Sequence, residues 1–527
     1  MAVFLDLPPE CIIHVFLQML PRQIAKSRLI SRAFRAIIDD SLVLQYIMEL
    51  DNLGLVPPIA ASNDLSLYNK VCALKEKRRT RDKGIDGMAH IYLYPNDRGN
   101  IVLQEYKSHA FSRGVLAFKG KDWPTKLGIY QFASENRGID CDRYKLNCPP
   151  RNYMMAVEPS FDLLALFGTV DEGLAFHLLS LRTGLPHPSA SSPMIPCFSP
   201  TGIEILTYLT ISIEIVGRHI VHMEEISERC TSLITIWDWV SGQIVTSTKV
   251  LGYSVAFLSE DIFMVPPPVG AYEDGEPHYL ALYTCREVPP GGPARCIARF
   301  YFPISDSIKI SCTRFEPSPL PSVWSCSIPL AYPPRVYDTS PTSHYLALSI
   351  QFRDVIHGYL FIWASALFSL LDTLATDHDQ CLSVPWPQWS SATSWIHSTA
   401  LNSRMIGFNV FGHLAIWLSY GDDYYDWEVG IYDLRTSKEK ALIKSQLDPM
   451  SPEERVELFL SDGSTPVQQP LLVKLFSIPV DVLPWEDDWY KETHHQRGVD
   501  LLVDDEHIII FKPPSNTSKA SLHVYPF

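Results

Sequence analysis

The sequence is poor in the local signatures that announce chemistry. It contains no G-x-S-x-G, no H-E-x-x-H, no P-loop and no G-x-G-x-x-G, so nucleophile elbows, zinc-peptidase helices and phosphate cradles all lack their usual marks. Its eleven cysteines include no C-x-x-C pair and no regular spacing, which argues against metal binding; scattered in apolar contexts, they read as buried thiols of a reducing compartment. His494-His495 is the only adjacent histidine pair, and its setting, "WYKETHHQRG", reads as a polar loop rather than a metal site. The longest apolar run, 359–371, has 13 residues, short of the roughly 20 needed to span a bilayer, so no membrane is expected. Asp6, Pro8, Pro9 and Glu10 interrupt the apolar N-terminus and no basic region precedes it, so it does not read as a secretory signal. Cytosol or nucleus is the expected location, with no cofactor.

Positive charge is also scarce outside the first 90 residues. These carry 12 Lys and Arg against 10 Asp and Glu, which leaves −17 of the net −15 to the remainder. An acidic body repels a phosphate backbone, so nucleic acid is not an expected partner, whereas a basic protein segment suits it. What the chain does have is length, 527 residues, enough for two or more units. Proline, at 41 residues, exceeds the usual share of about 5% and suggests many short strands joined by long loops.

The start of the chain is helical. In "LPPECIIHVFLQMLPRQIAKSRLISRAFRAII" (7–38), Cys11, Ile12, Val15, Phe16, Met19 and Leu20 recur on one helical face, entered through Pro8 and Pro9 and stopped by Pro21. Ile24, Leu29 and Ile30 follow, and Ser31 caps a third segment with Phe34, Ile37 and Ile38. Three helices in about 35 residues cannot bury all this apolar surface alone, which implies a patch that needs a partner.

This head resembles the F-box. Leu7-Pro8 and Glu10 fall at the opening of the family pattern, Val15, Phe16 and Met19 on its first helix, Pro21 and Ile24 at its second, and Leu29, Ile30, Ser31, Arg32 and Phe34 at its close. The resemblance implies a module (1–40) that docks on the adaptor subunit of SCF-type cullin–RING ubiquitin ligases and reaches a cullin through it. Leu7, Pro8, Val15, Phe16, Met19, Ile24, Leu29, Ile30 and Phe34 are the implied adaptor-binding set, although some of them must hold the helices together. Cys11 and Met19 stand where Leu or Ile is commoner, Ala25 and Ser27 where Leu is frequent, and Phe34 where Trp is usual, departures that lower affinity without changing the fold. The alternative is a helical cap on the larger domain, in which case the same residues are internal core.

Residues 41–86 read as a helical linker. Leu42, Val43, Tyr46, Ile47 and Leu50 share one face up to Gly54, and Leu67, Tyr68, Val71 and Leu74 share another up to Gly84. The basic run "KEKRRTRDK" (75–83) reads as a solvated helix face, with a nuclear-localisation signal as the alternative.

From 87 to 527 the period changes to alternation, giving a mainly β chain overall. A pattern of apolar, any, apolar, large ring or Leu, then often Asp and a small-residue turn recurs, clearest in "FHLLSLRTG" (176–184), "ITIWDWVSG" (234–242) and "VGIYDLRTS" (429–437). Tyr130, Leu179, Trp237, Tyr283, Trp363, Tyr432 and Tyr525 anchor seven copies at intervals of 49, 58, 46, 80, 69 and 93, longer than compact WD-type blades and so in need of insertions. The repeat resembles the W-D ending of propeller blades, which implies a seven-bladed β-propeller; a pair of β-sandwiches is the competing architecture. The last copy suits ring closure, with the C-terminal strand in a blade begun near the start. "VPWPQWSSATSWIHS" (384–398), after "LFIWASALFSLLDTL" (360–374), resembles a recurring blade segment in fungal families of F-box proteins with degenerate propeller bodies.

Carboxylates cluster in "GDDYYDWE" (421–428), "WEDDWYK" (485–491) and "DDE" (504–506), and surface loops account for such clusters without catalysis. Interleaved rings make Tyr424, Tyr425, Trp427, Trp485, Trp489 and Tyr490 the candidate grip for a basic target. The expected function is therefore a non-enzymatic target receptor of a ubiquitin ligase. A propeller hydrolase acting on glycosides through Asp422, Asp423, Asp487 and Asp488 and an adaptor-bound scaffold outside the ligase are the alternatives.

Overall fold

Proline and glycine set the limits of the N-terminal helices. Pro9 opens α1 (Pro9–Phe16), where a missing N–H is harmless because the first turn has no acceptor for it. Pro21 does more than end that run: it is the first residue of α2 (Pro21–Ser27). Ser31 Oγ accepts the Phe34 N–H at 3.1 Å and caps α3 (Arg32–Asp40). The next helix, α4 (Leu42–Leu53), closes on Gly54 in the left-handed conformation, φ 69°. A further helix, α5 (Leu67–Lys83), completes the helical part. The computed structural model describes residues 7–58, 65–83, 109–119, 125–134, 136–149, 152–170, 173–197, 210–227, 231–266, 278–302, 310–315, 330–339, 344–352, 357–374, 381–397, 405–420, 427–434, 471–478, 500–512 and 521–526.

Ile12, Phe16, Ile24 and Ile38 form the core of the head together with Leu44, which belongs to α4. The other face of α4 carries Tyr46, Leu50 and Leu53 onto Val71 and Leu74 of α5 and onto Val336 and Tyr337 of the body. One helix thus serves both cores, and the seam between head and linker runs along it.

Among the described residues the body contains seven sheets of three to five strands. Blade I comprises His109–Ser112, Val115–Lys119, Lys126–Gln131 and Asp142–Asn147, and blade II comprises Asn152–Glu158, Leu163–Val170, Gly173–Ser180 and Met194–Cys197. Blade III runs through Thr210–Val216, His219–Ser227, Thr231–Asp238 and Gln243–Leu251, and blade IV through Ala256–Ser259, Ile262–Val265, Tyr279–Thr284 and Arg295–Tyr301. Blade V uses Ile310–Phe315, Tyr345–Phe352, His357–Trp363 and Thr393–His397; blade VI uses Met405–Phe411, Leu414–Tyr420, Trp427–Asp433 and Leu471–Ile478; blade VII uses Asp500–Val503, His507–Lys512 and Ser521–Pro526. All seven anchors lie on the third strand of successive blades.

A closed ring follows from the packing. Side chains alternate across a strand, so a blade between two others is apolar on both faces. Val115 and Ala117 pack with Leu164 and Leu166 of blade II, while Leu116 and Phe118, in between, pack with Ile509 and Val524 of blade VII. Equivalent clusters join II to III, III to IV, IV to V, V to VI and VI to VII. Two sandwiches would not produce this succession. At the seam, Ser521–Pro526 pairs with His507–Lys512, the described strands of blade VII come from 500–526, and the described contacts with blade I are between side chains; an N-terminal strand for this blade, as the sequence reading expects, falls outside the described residues.

Two insertions within blade V explain its long anchor intervals. After the third strand, α6 (Ala364–Leu374) leads to Leu382–Val384, which adds in parallel to the outer strand of blade IV, and α7 (Trp386–Trp389) follows. Trp386 and Trp389 are buried at this junction, and Trp389 Nε1 donates to Tyr301 O at 3.0 Å. Between the first and second strands, residues 330–339 form a strap. Ala331 N–H bonds Ser160 O of blade II at 2.7 Å, and Arg335 N–H bonds Asn136 O of blade I at 2.7 Å. Asp338–Thr339 pairs antiparallel with Leu55–Val56 of the linker.

Candidate functional site

The head is held against one rim of the ring, and the chain direction identifies which. The turns between first and second strands interlock round that rim: Arg113 Nε meets Glu158 Oε1 at 3.0 Å, His219 Nδ1 lies 2.9 Å from Glu260 O, and Tyr345 N–H bonds Gly412 O at 3.1 Å. The linker docks on these turns and on the strap. Tyr46 Oη donates to Val336 O at 2.5 Å, its phenol pushed up to about 12 by burial. Lys77 Nζ donates to Asp505 O and lies over the Tyr337 ring, and Gly54 sits against His413 of blade VI. The basic run is therefore not simply a solvated face: Lys75 donates to Gln45, and Arg78 holds both oxygens of the buried Glu49 at 2.9 and 2.8 Å.

A buried ion cluster pins the strap where blades I and VII meet. Arg137 Nη2 holds both oxygens of Asp505 at 3.1 and 3.0 Å and Nη1 reaches Glu506 at 3.4 Å. Asn136 spends its side chain on the strap, donating to Tyr337 O at 3.0 Å and accepting from Val336 N and Tyr337 N at 3.0 and 3.1 Å. Burial alone would raise the Asp505 carboxyl, but Arg137, Lys77 and Arg113 outweigh it and hold it at about 2. Burial and the neighbouring Asp505 together raise Glu506. Burial would lower His507, yet Asp504 raises it above its ordinary value. The reading of "DDE" as surface carboxylates is thus corrected: Asp504 and Asp505 are buried, with His507 and Arg137 as their counter-groups.

The adaptor-binding set divides into two groups. Phe16 and Ile24 are sealed in the head's own core, with Met19 and Phe34 half-buried against it, so the first two are supports and not surface. Leu7 and Pro8 are exposed, and Val15, Leu29 and Ile30 stand 42%, 84% and 59% open to solvent. Leu20, at 67%, joins them; sequence reading placed it on the first helical face, but α1 ends at Phe16, and Leu20 precedes α2. Val15 and Ile30 are not covered by the strands downstream.

On the target side, Tyr424, Tyr425, Trp485, Trp489 and Tyr490 lie outside the described residues, as do Asp422, Asp423, Asp487, Asp488, His494 and His495. Trp427 opens the third strand of blade VI, paired with Tyr420 and Ile478. That end of the blade, like Asp500 at the start of blade VII, is at the rim opposite the head, because antiparallel strands reverse at each turn. The cysteine expectation is also corrected: Cys148 and Cys285 are buried, but Cys11, Cys72, Cys141 and Cys381 are exposed. Among the described residues no helix is long and apolar enough to cross a membrane.

Comparison with known proteins gives the helices a family. The F-box domain family matches residues 4–46, which carries the match into the first turns of α4, where Leu44 completes the head core. No curated protein sequence matches the chain. Among solved structures, the chain is similar to the β-propeller domain of the Trilobed protease from Pyrococcus furiosus, at 9% identity and a TM-score of 0.40 over 81% of this chain and 93% of that one. It is similar to the WD40 domain of SCAP from fission yeast at 8% identity and 0.35, over 82% and 96%. For Pyrococcus horikoshii acylaminoacyl peptidase the figures are 9% and 0.38, over 80% and 50%. The blade count rests on the sheets and interfaces described above and not on these likenesses. With an F-box at its head and seven blades behind a helical linker, the chain is an F-box protein with a β-propeller body.

Proposed function

We propose that the chain is the target-recognition subunit of an SCF-type cullin–RING ubiquitin ligase and is not itself an enzyme. The observation that carries this reading is the match to the F-box over a head whose core closes without Leu29 and Ile30, leaving both exposed. Burial of a Leu or Ile side chain contributes roughly 1.5–3 kcal/mol, so Leu29, Ile30, Leu20 and Val15, with Leu7 and Pro8, supply the gain that seats an adaptor and, through it, a cullin. Phe16, Met19, Ile24 and Phe34 act by holding that surface in shape. The target, a protein with a basic segment, meets Tyr424, Tyr425, Trp427, Trp485, Trp489 and Tyr490. The linker keeps it at a set distance from the head, and catalysis by other subunits benefits from the raised local concentration of a target lysine. Such a protein works in the cytosol or nucleus.

Co-expression of the full chain with an adaptor and a cullin tests the proposal. Wild type brings down both subunits; Leu29→Asp with Ile30→Asp loses both while its circular dichroism is unchanged. An adaptor retained by the double variant refutes the docking surface, and an adaptor recovered without cullin makes the chain a scaffold. Replacing these six aromatics by Ser should cost the target and spare the adaptor.

A further inference from the structure

We propose that Cys296 and Cys381 form a peroxide-oxidisable dithiol that locks the blade V insertion onto the outer edge of blade IV. Their sulfurs are 3.4 Å apart although 85 positions separate them in the chain. The backbone produces this approach: Cys296 lies in Arg295–Tyr301 and Cys381 directly precedes Leu382–Val384, and the two strands run parallel with Ala298 opposite Leu382. Cys381 is exposed and Cys296 partly so, which gives a small oxidant access to the pair.

The environments assign different roles. Burial, with a smaller contribution from Cys381, pushes the Cys296 thiol up to about 12, so it is poorly suited to attack an oxidant. Cys381 meets the peroxide first. Its thiolate attacks one peroxide oxygen, the O–O bond breaks, and the departing hydroxide takes a proton to become water, leaving a sulfenic acid on Cys381. The Cys296 sulfur then attacks the Cys381 sulfur; the S–O bond breaks, and the second hydroxide leaves as water with the Cys296 proton. Two thiols have lost two electrons and one peroxide has become two waters. The positive charge of Arg299 favours the Cys296 thiolate and eases the loss of that proton. A low-molecular-weight thiol reverses the step by exchange. The crosslink encloses the strap and the first three strands of blade V, so the oxidised chain has fewer unfolded conformations to gain.

The test treats the full chain with a few equivalents of hydrogen peroxide and maps its peptides without reduction. The expected product joins the Cys296 and Cys381 peptides at a mass about 2 Da below their sum, is released by dithiothreitol, and melts a few degrees above the reduced chain. In Cys296→Ser, dimedone should trap Cys381 as the sulfenic acid, whereas wild type should escape trapping. Because Cys381 is exposed, Cys381→Ser folds, and it should give neither the joined peptide nor the higher melting temperature. Equal dimedone labelling of Cys381 in wild type and Cys296→Ser overturns the proposal, as do crosslinks spread over Cys11, Cys72 and Cys141.

Discussion

Replacing Arg137 by alanine should lower the melting temperature of the propeller by roughly 3–5 °C. The side chain is 5% exposed and its partner Asp505 3%, so removing the guanidinium leaves a buried carboxylate without its main counter-charge. Breaking a buried pair in this way costs about 3–5 kcal/mol. The carboxyl supplies a second figure. Asp505 is held at about 2 instead of 3.8, a difference worth on the order of 2 kcal/mol, smaller because burial of the carboxylate offsets part of the attraction. An unfolding entropy of about 2.1 cal/mol/K per residue over roughly 440 residues gives about 0.9 kcal/mol/K, which converts the larger figure into the stated shift. Scanning calorimetry reads it directly. Arg137→Met combined with Asp505→Leu should melt above Arg137→Ala, since only the more exposed Glu506, and not the buried Asp505 as well, is then left without the guanidinium. An Arg137→Ala chain melting within about 1 °C of wild type, or a double variant melting no higher than the single one, refutes the reasoning.

His507 and Asp505 should respond to pH in opposite senses. A histidine raised in the folded state contributes stability below its unfolded value of about 6.5 and loses it as pH rises through the folded one, so His507→Gln should flatten the fall in melting temperature on the alkaline side. Asp505, lowered to about 2, contributes above about 4 and loses its contribution as pH falls towards 2, a limb that Asp505→Asn should remove from the same scans. Ile24→Ala should destabilise the head by about 2–5 kcal/mol, whereas Leu29→Ala should change it by less than about 0.5, measured by urea titration of helical ellipticity. Gly54→Ala puts a Cβ 2.4 Å from His413 Nδ1 at φ +69°, so the linker should loosen from blade VI by about 1–3 kcal/mol and trypsin should release the head faster than in wild type.

The periodic parts of the fold were legible because period is local. The alternation around Trp237 or Tyr432 reports a strand whatever lies beyond it, and the third strands were found from the ring-plus-turn pattern alone. Asp238 shows why that pattern recurs: its Oδ1 accepts from Val240 N and Ser241 N while Oδ2 takes Arg218, so one carboxylate sets the turn and ties it to its neighbour. Burial of "DDE" was not legible, since Asp505 acquires its partner Arg137 from a position 368 residues away. The strap was hidden for the same reason: residues 330–339 have no period and gain their order from Asn136, Ser160 and the linker. On the head, composition could not tell Ile24 from Ile30, because both are apolar and six residues apart; only the turn between α2 and α3 puts one inside and the other out.

The parallel strand that blade V lends to blade IV has a consequence during synthesis. Residue 301 leaves the ribosome about 80 residues before 384, an interval of roughly 4–16 s at ordinary elongation rates. Until then Arg295–Tyr301 is a bare outer strand, able to template pairing with any extended chain nearby. The two blades therefore mature as one unit, and a nascent chain that stalls in this interval is the form most in need of a chaperone.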